Sequence, residues 1–279
     1  MTDSEIFDRT ARRLRRDRAQ ATWARHDFLR ALMLDGIVER LDAVRRSFGD
    51  VLDIGCADAG FTLPDATITR IDAGAGFAAA TGRIQSDEDR LDLPPASFDL
   101  VVSAGVLDSV NDVPGALALA RRALRPDGLF LGAFVGGNSL PTLRAALRAA
   151  EPGTARAHPM IDVRSAGDLL VRAGFALPVA DIEGVDVRYA DLFGLIADLR
   201  GMAATNLLRD RRPLRRDTLA RIATAFADAA DPDGRVREHF DIIFLTGWAP
   251  APSQPQPARR GSATASLAQA LQQRFEQPD

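Results

Sequence analysis

Apolar positions follow two rhythms along the chain. Near the N-terminus they recur at helical spacing: Phe7, Ala11 and Leu14, then Phe28, Leu32 and Val38, then Leu41, Val44 and Phe48. This predicts helices over residues 4–48. The first reads as amphipathic, with a solvated face of arginines and acids. At Asp50 the rhythm changes. Residues 51–55 (VLDIG) are a short apolar run entering a turn of small residues, and 67–72 (TITRID) are a β-rich run ending in an acid. Residues 98–105 (FDLVVSAG) and 129–137 (LFLGAFVGG) are near-continuous apolar runs, separated by a helical stretch over 113–124 and a turn at 125–128 (RPDG). Helices are expected over 140–150 and 165–174, the latter with Ser165 as N-cap and Gly174 past its end. Strands are expected over 175–183 and 240–249, with helices over 191–204 and 214–230 between them.

Apolar strands alternating with helices make an α/β fold whose mostly parallel sheet is covered on both faces. The expected organisation is an N-terminal helical segment (1–48), a main domain (49–249) with a helical insertion near 190–230, and a flexible tail (250–279) rich in Pro, Gln, Ser and Ala.

Composition removes several kinds of chemistry. The 35 basic residues are all arginine and face 38 acids, for a formal net charge of −3. Without lysine there is no Schiff base and no phosphate-loop lysine. The near balance gives no electrostatic reason to expect nucleic acid as a partner. Cys56 is the only cysteine, and His26, His158 and His239 are the only histidines, so no zinc finger can form and no metal site is expected. No apolar run is long enough for a membrane span. The arginine-rich start is interspersed with Asp3, Glu5, Asp8 and Asp17, unlike a transit peptide, and a cytoplasmic location is expected.

The segment VLDIGCADAG places a buried strand directly before a turn of small residues. Such a turn lets backbone approach a nucleotide. An acid about 20 residues on, at the end of the second strand, is placed to accept ribose hydroxyls. Asp72 stands there.

These residues carry a resemblance. LDIGCADAG resembles the first motif of class I S-adenosylmethionine-dependent methyltransferases, and DRLDLPPASFDLVVS and ALRPDGLFLGA resemble the stretches around their fourth and fifth strands. GGNSLPTLRAALRAAE, DLRGMAATN, RRPLRRDTL and the N-terminal IFDR resemble, more narrowly, the complex I assembly factor 5 family. The biotin-synthesis methyltransferase that acts on a malonyl carrier protein is similar over the central domain only. The resemblance implies a doubly wound seven-stranded sheet whose last strand is antiparallel, with S-adenosylmethionine as cofactor. It implies Asp72 on the ribose, Asp89 near the adenine amine, and Asp53, Gly55, Cys56 and Ala57 near the methionine part, with Ser103 of the fourth strand in the same set. It further implies modification of an arginine on a protein substrate, a subunit of respiratory complex I.

Four departures fall at that pocket, one of them a short stretch from Asp72 to Asp89. Position 57 is alanine where a glycine is usual, and a Cβ disfavours positive φ. The segment from Asp53 to Asp72 is about one helical turn short, leaving little room for a helix after the turn. Asp108 and Ser109 replace a bulky aromatic pair and are candidates for the acceptor side, or for capping the next helix. Ala57 and the short connections favour an alternative, a non-catalytic assembly factor with a degenerate cofactor site. His158, in a loop that could face the pocket, and the arginines of 211–216, which could hold an acidic partner, complete the candidates.

Overall fold

The computed structural model describes residues 5–80 and 84–254. Two helices lead, α1 (Arg9–Gln20) and α2 (Phe28–Asp42). Then come β1 (Asp50–Ile54), β2 (Thr67–Asp72), α3 (Ala75–Ala80), β3 (Ile84–Gln85), β4 (Phe98–Ala104), α4 (Val113–Ala123) and β5 (Leu124–Gly136). The chain continues through α5 (Pro141–Ala150), α6 (Val163–Arg172), β6 (Ala176–Tyr189), α7 (Leu192–Gly201), α8 (Arg216–Ala227) and β7 (Val236–Trp248). The strands form one seven-stranded sheet in the order β3-β2-β1-β4-β5-β7-β6. The first five are parallel, and β7 runs antiparallel to both β5 and β6. This is the architecture expected from the sequence.

Each face of the sheet is covered because its strands are apolar on both sides. On one face Met33, Ile37 and Leu41 of α2 pack on Leu100, Val102, Leu131 and Phe244. On the other, Leu117 of α4 and Leu170 of α6 pack on Val101, Phe130 and Leu245. A third cluster gathers Leu143, Leu195, Ile222, Phe226 and Phe240, joining α5, α7 and α8 to β7. Burying side chains of this size is worth about 1.5–3 kcal/mol each.

Several local expectations are corrected. Asp162, not Ser165, caps α6: its carboxylate accepts from the Ser165 N–H at 2.9 Å. Asp112, not Asp108 or Ser109, caps α4, accepting from Gly115 N. The 125–128 turn lies inside the span of β5 as an irregularity, with Asp127 at φ +64 and a register shift against β4 between Phe98 and Leu100. β6 and β7 pair as far as Tyr189 and Val236, well beyond the apolar runs that announce them. Most of the expected tail, from 255 onward, lies outside the described residues. Among the described residues no helix is long and apolar enough to cross a membrane.

The largest correction concerns α1. Leu14 is 46% exposed, while Arg12 and Arg16 are each 5% exposed. The helix turns its arginines inward, because carboxylates await them there.

Candidate functional site

The strand order reverses between β1 and β4, and ligand crevices in such sheets lie beyond the carboxyl ends of the strands at that point. Six of the seven sequence-selected residues converge here. Asp53 lies near the end of β1, Gly55, Cys56 and Ala57 form the turn after it, Asp72 ends β2, and Ser103 pairs with Ile54 near the end of β4. The short connection has the effect expected of it: residues 55–66 run as turns with no helix. The crevice therefore lacks the helix N-terminus that usually faces a bound nucleotide.

The turn is built under tight constraints. Gly55 has φ +74, and both its N–H and that of Cys56 donate to the Ile71 carbonyl, at 2.8 and 3.1 Å. Ala57 has φ +44, so the alanine adopts the left-handed backbone its Cβ disfavours. Its N–H donates to Asp72 Oδ2 at 3.0 Å.

Asp72 is fully buried. Besides Ala57 N, its carboxylate accepts from Gly74 N at 2.8 Å, from Arg16 Nε at 2.7 Å and from Arg16 Nη2 at 2.5 Å. Arg16 and these backbone donors hold its pKa below the usual carboxylate value, against the burial that pushes it up and is the largest single influence. Each oxygen thus accepts two bonds, which fills the capacity of a carboxylate. In this arrangement Asp72 has no acceptor left for a ribose diol, and the residues do not fit the cofactor as they stand.

Asp53 is equally buried but differently placed. Neither oxygen has a hydrogen-bond partner, and Arg70 Nε lies 3.8 Å away. Burial pushes its pKa up to about 6. Ser103 Oγ is likewise buried without a partner.

Asp89 sits apart from the other six. The resemblance puts it near an adenine amine, but here Arg9 takes it through two bonds of 2.6 Å, and it also accepts from Asp112 N at 3.2 Å. The pattern repeats along α1. Arg12 holds Glu88 at 2.7 and 2.9 Å, and Arg13 holds Asp87 at 2.6 Å. Arginines at positions 9, 12, 13 and 16 share one helical face. Four acids, Asp72, Asp87, Glu88 and Asp89, meet that face. Sequence reading missed this match; its only signal is an i, i+3, i+4, i+7 series of arginines facing a run of acids far along the chain.

Beside this sealed crevice lies a cavity of about 840 Å³. Met33, Leu143 and Ile196 supply apolar wall, Arg18 and Arg200 line it, and Asp108 reaches it beside Gly105 just past β4. Burial pushes the Asp108 pKa up to about 6. Ser109 turns away, donating to the Val106 carbonyl and accepting from Arg12 Nε. His158 also lines the cavity, but its Nε2 accepts from Leu207 N at 2.7 Å, a structural bond. Of the 211–216 arginines, Arg211 pairs with Asp8 at 2.8 Å. Among the described residues no group of three or more His, Cys, Asp or Glu side chains is placed to hold a metal ion.

Residues 52–132 match the methyltransferase domain family. The arginine-hydroxylase NDUFAF5 of Danio rerio is 33% identical over 94% of this chain and 88% of its own length. The malonyl-[acyl-carrier protein] O-methyltransferase of Laribacter hongkongensis is 31% identical over 90% of this chain and 93% of its own. The second likeness is therefore not confined to the central domain, as the sequence motifs suggested. The YcgJ protein of Bacillus subtilis shares the fold, with a TM-score of 0.55 at 17% identity over 78% of this chain and 99% of its own. S-adenosylmethionine is the cofactor that goes with this domain. With the strand order, the crevice at the end of β1 and relatives matched over most of its length, the chain belongs to the class I S-adenosylmethionine-dependent methyltransferase superfamily, among the relatives of NDUFAF5.

Proposed function

We propose that this chain is a methyltransferase-type enzyme that modifies an arginine of a protein substrate, a subunit of respiratory complex I during its assembly, in the cytoplasm. The observation that carries the reading is Asp108. It is a carboxylate on the wall of a largely apolar cavity, beside the crevice where the cofactor of this fold belongs. The aliphatic stem of an arginine suits the wall of Met33, Leu143 and Ile196, and its guanidinium suits a carboxylate. The resemblance to arginine-hydroxylase relatives supports the same acceptor. Seven arginines line the same cavity, Arg18 and Arg200 among them, and favour a segment with acidic residues beside the arginine.

The test is mass spectrometry of an arginine peptide with acidic neighbours after incubation with the protein and S-adenosylmethionine. The expected product carries a methyl group on an arginine nitrogen, with S-adenosylhomocysteine and a proton released. Addition of an oxygen atom would need an oxidant that S-adenosylmethionine does not supply, so a parallel incubation with dioxygen and a two-electron donor reads that reaction separately. Asp108→Asn is expected to lower the yield about tenfold or more, the loss of one charge-assisted bond. Unmodified peptide with the wild-type protein would count against the reading.

A second reading is favoured by one observation, the complete occupation of Asp72 by Arg16, Ala57 and Gly74. On that reading the chain is a non-catalytic assembly factor that kept the fold and closed the cofactor site. Binding of a complex I subunit with no modification of it is the result that reading expects.

A further inference from the structure

The crevice is closed by a fitted interface. Arg16 reaches Asp72 through two bonds, and both side chains are almost wholly buried. The approach of α1 depends on small residues directly after that acid. A Cβ on Gly74 would lie 2.9 Å from Arg16 Cβ, and one on Gly76 would displace the Gln20 side-chain amide. The backbone at Gly76 is gripped from both sides: its N–H donates to Asp17 Oδ1 at 2.9 Å, and its carbonyl accepts from Gln20 Nε2 at 3.0 Å. Beyond α1, Trp23 packs with Ala57, Phe77, Ala19 and Ala203, its ring 5.1 Å from that of Phe77 and nearly perpendicular to it. Helix and indole thus stand where a nucleoside would meet the β1 turn and the end of β2.

The closure is imperfect. Trp23 Nε1, Arg30 Nε, Arg70 Nε, Ser103 Oγ and both oxygens of Asp53 are buried without a hydrogen-bond partner, as is Tyr189 Oη at the far end of β6. Arg30 donates to the Cys56 carbonyl, and Arg70 and Ser103 flank the end of β1. Buried polar atoms are rarely left unpaired, and a bound polar ligand or water would satisfy them. Asp72, with four donors, and Asp53, with none, lie toward the ends of the adjacent strands β2 and β1.

We infer that Arg16 and the cofactor's ribose are alternative ligands of Asp72, so that α1 is an internal competitor for the cofactor site. In the arrangement described Arg16 takes the carboxylate, and the nucleoside enters only as Arg16 leaves it. Apparent affinity is then lowered by the fraction of molecules that are closed. The inference goes beyond the proposed function and rests on the superfamily's cofactor rather than on the arginine acceptor. Its test reads binding alone, so its failure leaves the acceptor reading where it stands.

The experiment is calorimetric titration of the full chain with S-adenosylmethionine, comparing wild type with Arg16→Met. Methionine keeps much of the stem and removes the guanidinium. The variant is expected to bind at least about tenfold more tightly, because each Asp72 oxygen then has an acceptor position free beside its backbone donor. Equal or weaker binding by a folded variant overturns the proposal, and so does an absence of binding in both proteins. Should Arg16→Met fail to fold, hydrogen exchange on the wild type decides. With saturating cofactor the amides of α1 are expected to exchange faster than without it. Protection of α1 that is unchanged or increased by the cofactor, or no cofactor binding to the wild type, overturns the proposal.

Discussion

Gly55 and Val106 lie so close that one added carbon does not fit between them: a Cβ on Gly55 would stand 2.4 Å from Val106 Cγ1. The resemblance puts this glycine near the methionine part of a cofactor. The structure gives it another task, passing the chain under a β-branched side chain at φ +74. Gly55→Ala is therefore expected to destabilise the protein by about 2 kcal/mol or more, combining backbone strain with overpacking. Urea denaturation measures it, and a loss below about 0.5 kcal/mol would show that Val106 yields freely.

Ala57 presents the opposite case, an alanine in a glycine's conformation at φ +44. Releasing that strain is worth about 1–2 kcal/mol. Against it stand the entropy of glycine in the unfolded chain, about 0.4–1 kcal/mol, and a lost buried methyl, about 0.8 kcal/mol. The terms nearly cancel, so Ala57→Gly is expected to leave stability unchanged within about 1 kcal/mol. A markedly larger loss in the same urea experiment would mean that alanine is unstrained there.

The Arg12–Glu88 pair is buried on both sides and joined by bonds of 2.7 and 2.9 Å. Removing one partner strands the other charge. Arg12→Met or Glu88→Met alone is expected to cost about 3–5 kcal/mol, and the double change Arg12→Met/Glu88→Met less than the sum. A double-mutant cycle in urea tests this, and additive losses would show that α1 is held by packing instead.

Acid sensitivity has two opposed sources. Burial first, then Arg15 and Arg144, push the His158 pKa down to about 4 from its usual 6.5. The unfolded chain binds the extra proton between those values. The stability from keeping His158 neutral is thus complete above pH 6.5 and is lost as pH falls toward 4. Asp53 has the other sign: burial raises its pKa to about 6, so its destabilising charge is relieved as pH falls from 6 toward the usual 3.8. His158→Gln is expected to shrink the loss of stability between pH 7 and 5, and Asp53→Asn to enlarge it. Urea midpoints at the two pH values check both signs, and two shifts in the same direction would contradict the assignment.

The central strands were legible because burial on both faces writes them as unbroken apolar runs, as in β1, β4 and β5. The two-residue β3 is exposed and carries no such signature, and the outer halves of β6 and β7 pair in a hairpin with much of β6 facing solvent. At the site, the positions of Asp53, Asp72 and the turn between them could be read from spacing. Their partners could not. An arginine series on a helix looks like a solvated face unless the acids that bury it are known, and those acids lie 56 to 80 residues away. The cavity at Asp108 was also hidden, since α2, α5, α7 and α8 assemble it from separate parts of the chain.

A crystal structure of the full chain with bound S-adenosylmethionine tests the central claim, that Asp72 is the cofactor's carboxylate and Arg16 its present occupant. The account predicts ribose hydroxyls on the Asp72 oxygens and the Arg16 guanidinium withdrawn from them. A bound cofactor with the Arg16–Asp72 pair intact, its ribose held by other residues, would contradict it.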